Sequence, residues 1–344
     1  MTTKWLKKQI CIVAGLCLMI PIFVGCTGSK ESKDISHGSN EKQQENAVNK
    51  SDTDEIKLAA LKGPTSMGIV KLLEDKKINV SFNMYNSADE IVPLIVKKQV
   101  DMASIPANLA AVLYEKTKGN IVALNVNTLG VLYGVSESSN IKDIKDLEGK
   151  TVFMTGKGTV PEYSLKYLLE KNGVQLEKVK IEFKSEPTEV VAALKVNKDS
   201  VGILPQPFTT VALNNNDKLK IVLDLTECWE KSSHGESSMV TAVTVVRKDF
   251  LNQHKELVNK FMEEQKKSVE FTKNNIDEAA NLIEKYDIVK AAIAKKALPY
   301  CNLVCITGDE MNKKLEGYLT TLYNSNKASV GGKLPRDDFY YKEN

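Results

Sequence analysis

The chain has 344 residues, 42% hydrophobic and 6% aromatic, enough to bury one large core or two of ordinary size. Its 47 basic and 44 acidic side chains give a formal net charge of +3, and Lys4, Lys7 and Lys8 account for that excess. Residues 26–344 are formally neutral, which excludes the broad basic field that would draw nucleic acid or an anionic membrane.

Those three lysines precede a 15-residue apolar stretch, Ile10 to Val24, broken only by Gly15 and Pro21. A spanning helix needs about 20 such residues, so the stretch fits the core of a signal peptide, residues 1–25. It ends in "FVGC", where Gly25 before Cys26 resembles the lipobox of bacterial lipoproteins, with Phe23 where leucine is usual. The resemblance implies cleavage before Cys26 and a lipid anchor on it; the plainer reading is a secreted protein cut nearby. In residues 27–55 the apolar side chains are Ile35, Ala47 and Val48, too few to offset the entropy of ordering, so 26–55 is expected to be a disordered tether. Cys228, Cys301 and Cys305 then remain, an odd count that is no disulfide framework; Cys301 and Cys305 either pair or stay thiols. With His234 and His254 the body's histidines, a Cys/His metal site has little support and no cofactor is expected.

From residue 56 short apolar runs alternate with helical periods. "IKLAAL" reads as a strand buried on both faces. Ile69, Leu72 and Leu73 mark a helical face. Ile78, Val80, Phe82 and Met84 alternate as a strand with one face buried. Ser87-Ala88-Asp89-Glu90 has capping-box spacing, and Pro93 predicts that the helix after it begins late or kinks. "VDMASI" is a third strand, "NLAAVLYEK" a helix, "IVALNV" a fourth strand. Such alternation predicts a parallel sheet under helices. After polar residues 142–150 the rhythm restarts: a strand at Thr151 to Met154, a helix over 160–172 closed by Asn172-Gly173, then strands at Val179–Phe183, "VGILPQPF" and "LKIVLDL" around the helix "TEVVAALK". "MVTAVTVV" follows a polar loop around Ser232 to Ser238, and everything from about 252 to 325 reads as helix. Two α/β lobes are expected, lobe 1 from 56–141 and 239–344, lobe 2 from 142–238.

In this order, "LKGPTSMG", "LIVKKQVDMASIPAN", "IKDIKDLEGKTVFMTGKGTVPE" and "VGILPQPF" resemble the nitrate/sulfonate/taurine-type substrate-binding proteins of ABC importers, a group that includes binders of thiamine pyrimidine precursors. The likeness covers roughly 56–325, and "DLEGKTV" is its best single marker. It implies a type II periplasmic-binding-protein fold: two α/β lobes, a central cleft, C-terminal helices on the first lobe, and hinge crossovers near 139–142 and 238–241. The implied partners are a small-molecule ligand, an ABC permease with its ATPase subunit, and the membrane through Cys26. A monomer on the extracytoplasmic face is expected.

Ligands of open α/β sheets bind at the carboxyl ends of strands, so the corners after strands are the candidates. Gly63, Pro64, Thr65 and Ser66 form one; Thr65 or Ser66 is placed to N-cap, and a helix start with unpaired amides suits an anion. Gly156, Gly158 and Thr159 form the matching corner, where Thr159-x-x-Glu162 has capping-box spacing. Because Gly68 stands where the first corner would carry such an acid, an anionic ligand group is expected at the first corner. Pro106 and Asn108 end the third strand, and Gln206 holds a place that is often acidic in relatives. Tyr133, Phe153, Tyr163, Phe208 and Trp229 are candidates for stacking, with Trp229, in a polar loop, the least core-like. Arg247 and Arg336 are the chain's two arginines, so an arginine clamp on an anion is not expected.

No nucleophile elbow, zinc-protease motif, P-loop or dinucleotide fingerprint occurs. The cysteine-rich motif of the pyrimidine synthases related to this fold is also missing. The expectation is a solute-binding lipoprotein, not an enzyme, that delivers a nitrate- or sulfonate-like anion or a small heterocycle to an importer. The alternatives are a ligand-sensing lipoprotein that feeds a membrane signalling protein and, ranked below it, an enzyme on the same fold. Neighbouring genes for a permease and ATPase, or for a membrane kinase, discriminate import from sensing.

Overall fold

The computed structural model of the chain describes residues 54–342. The expected signal peptide, the lipidation at Cys26 and nearly all of the tether lie outside these residues.

Among the described residues eleven strands build two sheets. They are β1 (Ile56–Leu61), β2 (Val80–Tyr85), β3 (Met102–Pro106), β4 (Ile121–Leu129), β5 (Leu132–Ser136), β6 (Thr151–Met154), β7 (Lys180–Phe183), β8 (Val201–Pro205), β9 (Lys220–Asp224), β10 (Val240–Arg247) and β11 (Leu303–Ile306). The first sheet runs β11-β4-β10-β3-β1-β2 and the second β7-β6-β8-β5-β9. Within the first, β1 pairs in parallel with β2 and β3, as the β-α alternation predicts. In the second, β6 pairs in parallel with β7 and β8.

Neither sheet is wholly parallel, and the reason lies in the crossings. The chain leaves β4 at Leu129, passes Gly130-Val131, and enters the second sheet as β5 between β8 and β9, antiparallel to both. It returns as β10 between β3 and β4, again antiparallel to both. A chain that crosses directly between the carboxyl ends of two sheets must run down the second sheet against its neighbours. The first crossing is thus at 130–131, not near 139–142, and residues 132–141 belong with the second sheet's lobe. The second crossing lies between the helix ending at Ser232 and Val240.

Local capping explains the helix Ala88–Val96. Ser87 and Glu90 form the capping box, the Ser87 amide donating to Glu90 Oε1 at 2.9 Å. The helix starts at Ala88 directly after it, and Pro93 stays inside on the exposed side. Two sequence readings are corrected. β11 interrupts the region expected to be all helix; its four residues lie between Asn302 and Gly308, both at positive φ, and are too few to show a period. Trp229 sits in the helix Leu225–Ser232, not in a loop, and is fully buried between Tyr167 and Tyr318, with ring centroids 4.4 and 5.0 Å away.

The last helices pack on the first lobe, and Gly308–Ser325 also reaches the second, where the Tyr318 and Ser164 hydroxyls meet at 2.9 Å. A continuous apolar cluster accordingly runs from Ala59 and Ile105 in the first lobe through Val152 and Val201 in the second. Among the described residues no helix is long and apolar enough to cross a membrane.

Candidate functional site

The carboxyl ends of the two sheets face each other across a cleft of about 510 Å3. On the first-lobe side it is floored by Thr128 at the end of β4, Thr241 and Ala242 at the start of β10, and Pro106 at the end of β3. Strand pairing sets these residues side by side, since Ala242 stands opposite both Thr128 and Pro106. Pro64 and Thr65 follow β1, and Asn86 to Asp89 follow β2. The second lobe contributes Thr155 to Lys157 and Thr159 to Pro161 after β6, Lys184 to Thr188 after β7, and Pro205 with Phe208 after β8. Leu61, Val131, Leu132, Val160 and Phe208 make part of the lining apolar.

Of the residues proposed from sequence, Pro64, Thr65, Pro106, Gly156 and Thr159 line this cleft. The others do not. Gly63 adopts φ 139°, a conformation only glycine takes readily, and abuts the other lobe, where an added Cβ would lie 3.9 Å from the Gln206 carbonyl oxygen. Ser66 is fully buried. Asn108 is buried as well; its Nδ2 donates to the carbonyls of Ser329 (2.9 Å) and Gly158 (3.3 Å), a bond from one lobe to the other. Gly158 gives its amide to Glu162 Oε2 at 2.6 Å. Tyr133 turns its hydroxyl to the Tyr300 carbonyl (3.3 Å), and burial pushes its pKa well up. Gln206 folds back to accept from the Thr210 hydroxyl at 2.8 Å. Among the stacking candidates, Phe208 lines the cleft, whereas Phe153 and Trp229 are core.

Two capping expectations fail for one physical reason, a nearer partner. Thr65 and Ser66 do not cap; both hydroxyls donate back to the Leu61 carbonyl, at 2.7 and 2.6 Å. The amides of Ser66 and Met67 both go to the Gly63 carbonyl at 3.0 Å, so the first corner is less open than its sequence suggests. Thr159 makes no side-chain cap either; its hydroxyl donates to Gly156 O at 2.8 Å while Glu162 takes the Gly158 amide.

Sequence reasoning missed the corners after β2 and β7. Both carried a usable signal, a polar cap directly after an alternating strand, and the rule of strand carboxyl ends applies to them equally. Thr128 and Thr241 gave no local signal, because each is an ordinary β-branched residue of a strand and only the β4–β10 pairing makes it floor.

The lining side chains carry both charges. Lys62 pairs with Asp287 at 3.7 Å and Lys184 with Glu182 at 3.6 Å. Lys157 sits 6.0 Å from the Phe183 ring centroid. Asp89 and Glu186, one from each lobe, form no ion pair among the described residues. No cluster that could hold a metal ion occurs among those residues. Burial pushes the Cys228 thiol up to about 11 and the Cys301 thiol up to about 12, so neither is a ready nucleophile. Cys301 is a free thiol directed at the Ala297 carbonyl, 3.2 Å away.

The NMT1/THI5-like family matches residues 73–279 of the chain. No curated protein matches it. Among solved structures, an ABC transporter protein of Parabacteroides distasonis superposes with a TM-score of 0.71 at 21% identity, over 84% of this chain and 99% of its own. The periplasmic aliphatic sulphonate binding protein of Escherichia coli gives a TM-score of 0.67 at 14% identity, over 84% and 92%. A Candida albicans protein described as showing the generic periplasmic-binding-protein fold gives 0.57 at 16% identity, over 83% and 93%. At such identities the likeness is one of fold, and the fold is that of the periplasmic binding proteins.

Proposed function

The chain belongs to the NMT1/THI5-like family, and from that premise we propose that it is the substrate-binding component of an ABC import system. The observation that carries the reading is the cleft itself. Its walls come from both lobes, and the lobes are joined by two crossings that can act as a hinge. Closure lets both walls touch a small molecule at once and removes water from around it. A volume of about 510 Å3 is the size of a small-molecule site.

In this reading the chain binds and releases its ligand unchanged and passes it to a permease. The "FVGC" sequence supports a lipid anchor on Cys26, which would hold the protein at the outer face of the cell membrane. The lobe assignment that goes with it is 56–131 and 240–342 for the first and 132–239 for the second. Pro64, Thr65, Pro106, Gly156, Thr159 and Phe208 are proposed to contact the ligand, and Asn108 to hold one lobe to the other.

A thermal-shift screen of the purified protein against anions, amines and small heterocycles tests the reading. A true ligand at 100 times its Kd adds about 2.7 kcal/mol of stability, a clear rise in Tm. If no class of small molecule raises Tm, the receptor reading fails.

A further inference from the structure

The lobes touch at two places beside the cleft. At one, Asn108 of the first lobe gives its Nδ2 to the Gly158 carbonyl of the second at 3.3 Å. At the other, Gly63 lies against Gln206 and Pro207, and the Tyr133 hydroxyl donates to the Tyr300 carbonyl at 3.3 Å. The lobes therefore stand closed on one another.

This closed contact strands polar atoms. Six buried side-chain oxygens have no hydrogen-bond partner among the described residues, and three of them sit at the joints between the lobes. Asn108 Oδ1 belongs to the carboxamide that bridges to Gly158. Ser329 Oγ belongs to the residue whose carbonyl accepts from the same Asn108 Nδ2, at 2.9 Å. Thr226 Oγ1, in the second lobe, presses on the first crossing, where a Cβ added to Gly130 would lie 2.1 Å from it.

A buried polar atom without a partner carries the full desolvation penalty of its group, and hydration removes that penalty. The Gly158 corner covers the Asn108 head group, so retreat of that corner opens Asn108 Oδ1, and Ser329 beside it, to water. What closure gains there in return is one long bond, of a kind worth less than the two atoms it leaves unmet. Asn108 thus joins the lobes by a bridge that is easily undone.

From this imbalance we propose that a spring built into the joints opposes closure: the polar atoms of Asn108, Ser329 and Thr226 are hydrated when the lobes part and stranded when they meet. The empty protein then stands open, and the closed shape is reserved for protein whose ligand supplies the difference. The proposal rests on the hinged-receptor reading above and adds the force that returns the hinge.

Ser329→Ala and Thr226→Val each delete an unmet hydroxyl, remove no hydrogen bond that the structure shows, and leave the cleft lining untouched. Spin labels carried on an unnatural amino acid at exposed Lys97 and exposed Lys195, one per lobe, report the lobe separation by double electron–electron resonance. Their helices, Ala88–Val96 and Pro187–Val196, start at opposite walls of the cleft. Without ligand the parent is expected mainly at the longer of two distances. Each substitution is expected to move the ratio toward the shorter by about tenfold, the scale of one unmet buried group, and the two together by more than either alone. A parent found mainly at the shorter distance overturns the proposal, and so does a ratio that the substitutions leave unchanged; the receptor reading survives both results. One distance common to parent and variants would show that the lobes do not move, and the hinge would fall together with its spring.

Discussion

The two lobes differ in how much of their sheets is covered. Central strands are buried in both, β3 end to end in the first and β5 end to end in the second. The edge strands of the first, β2 and β11, expose Asn83 alone, with the C-terminal helices packed against the sheet. In the second, the edge strands β7 and β9 expose Lys180, Lys220 and Ile221, the last at 44%. The first lobe also gathers chain from both sides of the second, which is one continuous insertion. The contrast teaches that the first lobe is the platform and the second a lighter cover. The cover meets the platform at the seam where Gly308–Ser325 packs on it and at the hydrogen bond from Asn108 to Gly158.

The largest test of that contrast is to empty the seam. Trp229→Ala removes a fully buried indole lodged between Tyr167 and Tyr318 and should cost about 3–5 kcal/mol. If the second lobe depends on this seam, urea unfolding of the variant separates into two transitions. A single, merely shifted transition would argue that the lobes stand or fall together.

A smaller effect is expected at the first crossing. Gly130 has no room for a side chain, since an added Cβ would lie 2.1 Å from Thr226 Oγ1 and 2.9 Å from Thr226 Cβ. Gly130→Ala should destabilise by about 1–3 kcal/mol, the usual range for overpacking, and adding Thr226→Ala should recover part of it. Equal stability of Gly130→Ala and the parent in urea would show that the crossing yields more easily than the contact implies.

The smallest effect concerns acid. On the platform, the hydrogen bond from Lys267 at 2.6 Å, with Lys77 at 3.2 Å, holds the Glu264 carboxyl below its ordinary value of 4.5. A carboxyl with a depressed folded pKa stabilises above its unfolded value, and that contribution disappears as pH falls through the folded one. Tm should therefore drop as the medium is acidified below about pH 4.5, the ordinary glutamate range, and Glu264→Gln should shallow that drop. An unchanged acid slope in the variant would remove Glu264 from the account.

Local chemistry was readable in advance and pairing was not. The β-α rhythm, the capping box at Ser87 and the corner at Gly63 to Ser66 are written in adjacent residues. The insertion of β10 between β3 and β4 is not, because it joins residues such as Asn127 and Thr244, 117 positions apart. The site shows the same divide. Thr65 was placed at the cleft correctly, yet its proton goes to the Leu61 carbonyl, a choice made by backbone geometry. Gln206 and Asn108 looked like ligand contacts because they follow strands, and each found a closer protein partner. Trp229 looked exposed because its neighbours in sequence are charged; its own side of a short helix faces the core.

That residue also makes the molecule its own reporter. The chain has two tryptophans, and a protein prepared from residue 26 onward keeps Trp229 without Trp5. The remaining indole lies against two tyrosine rings and gives its Nε1 proton to Ser237 at 3.3 Å. Its emission therefore comes from one dry place, at the joint between platform and cover. Any sliding there will change the colour or yield of that light, so opening and closing can be followed in solution without attaching a dye.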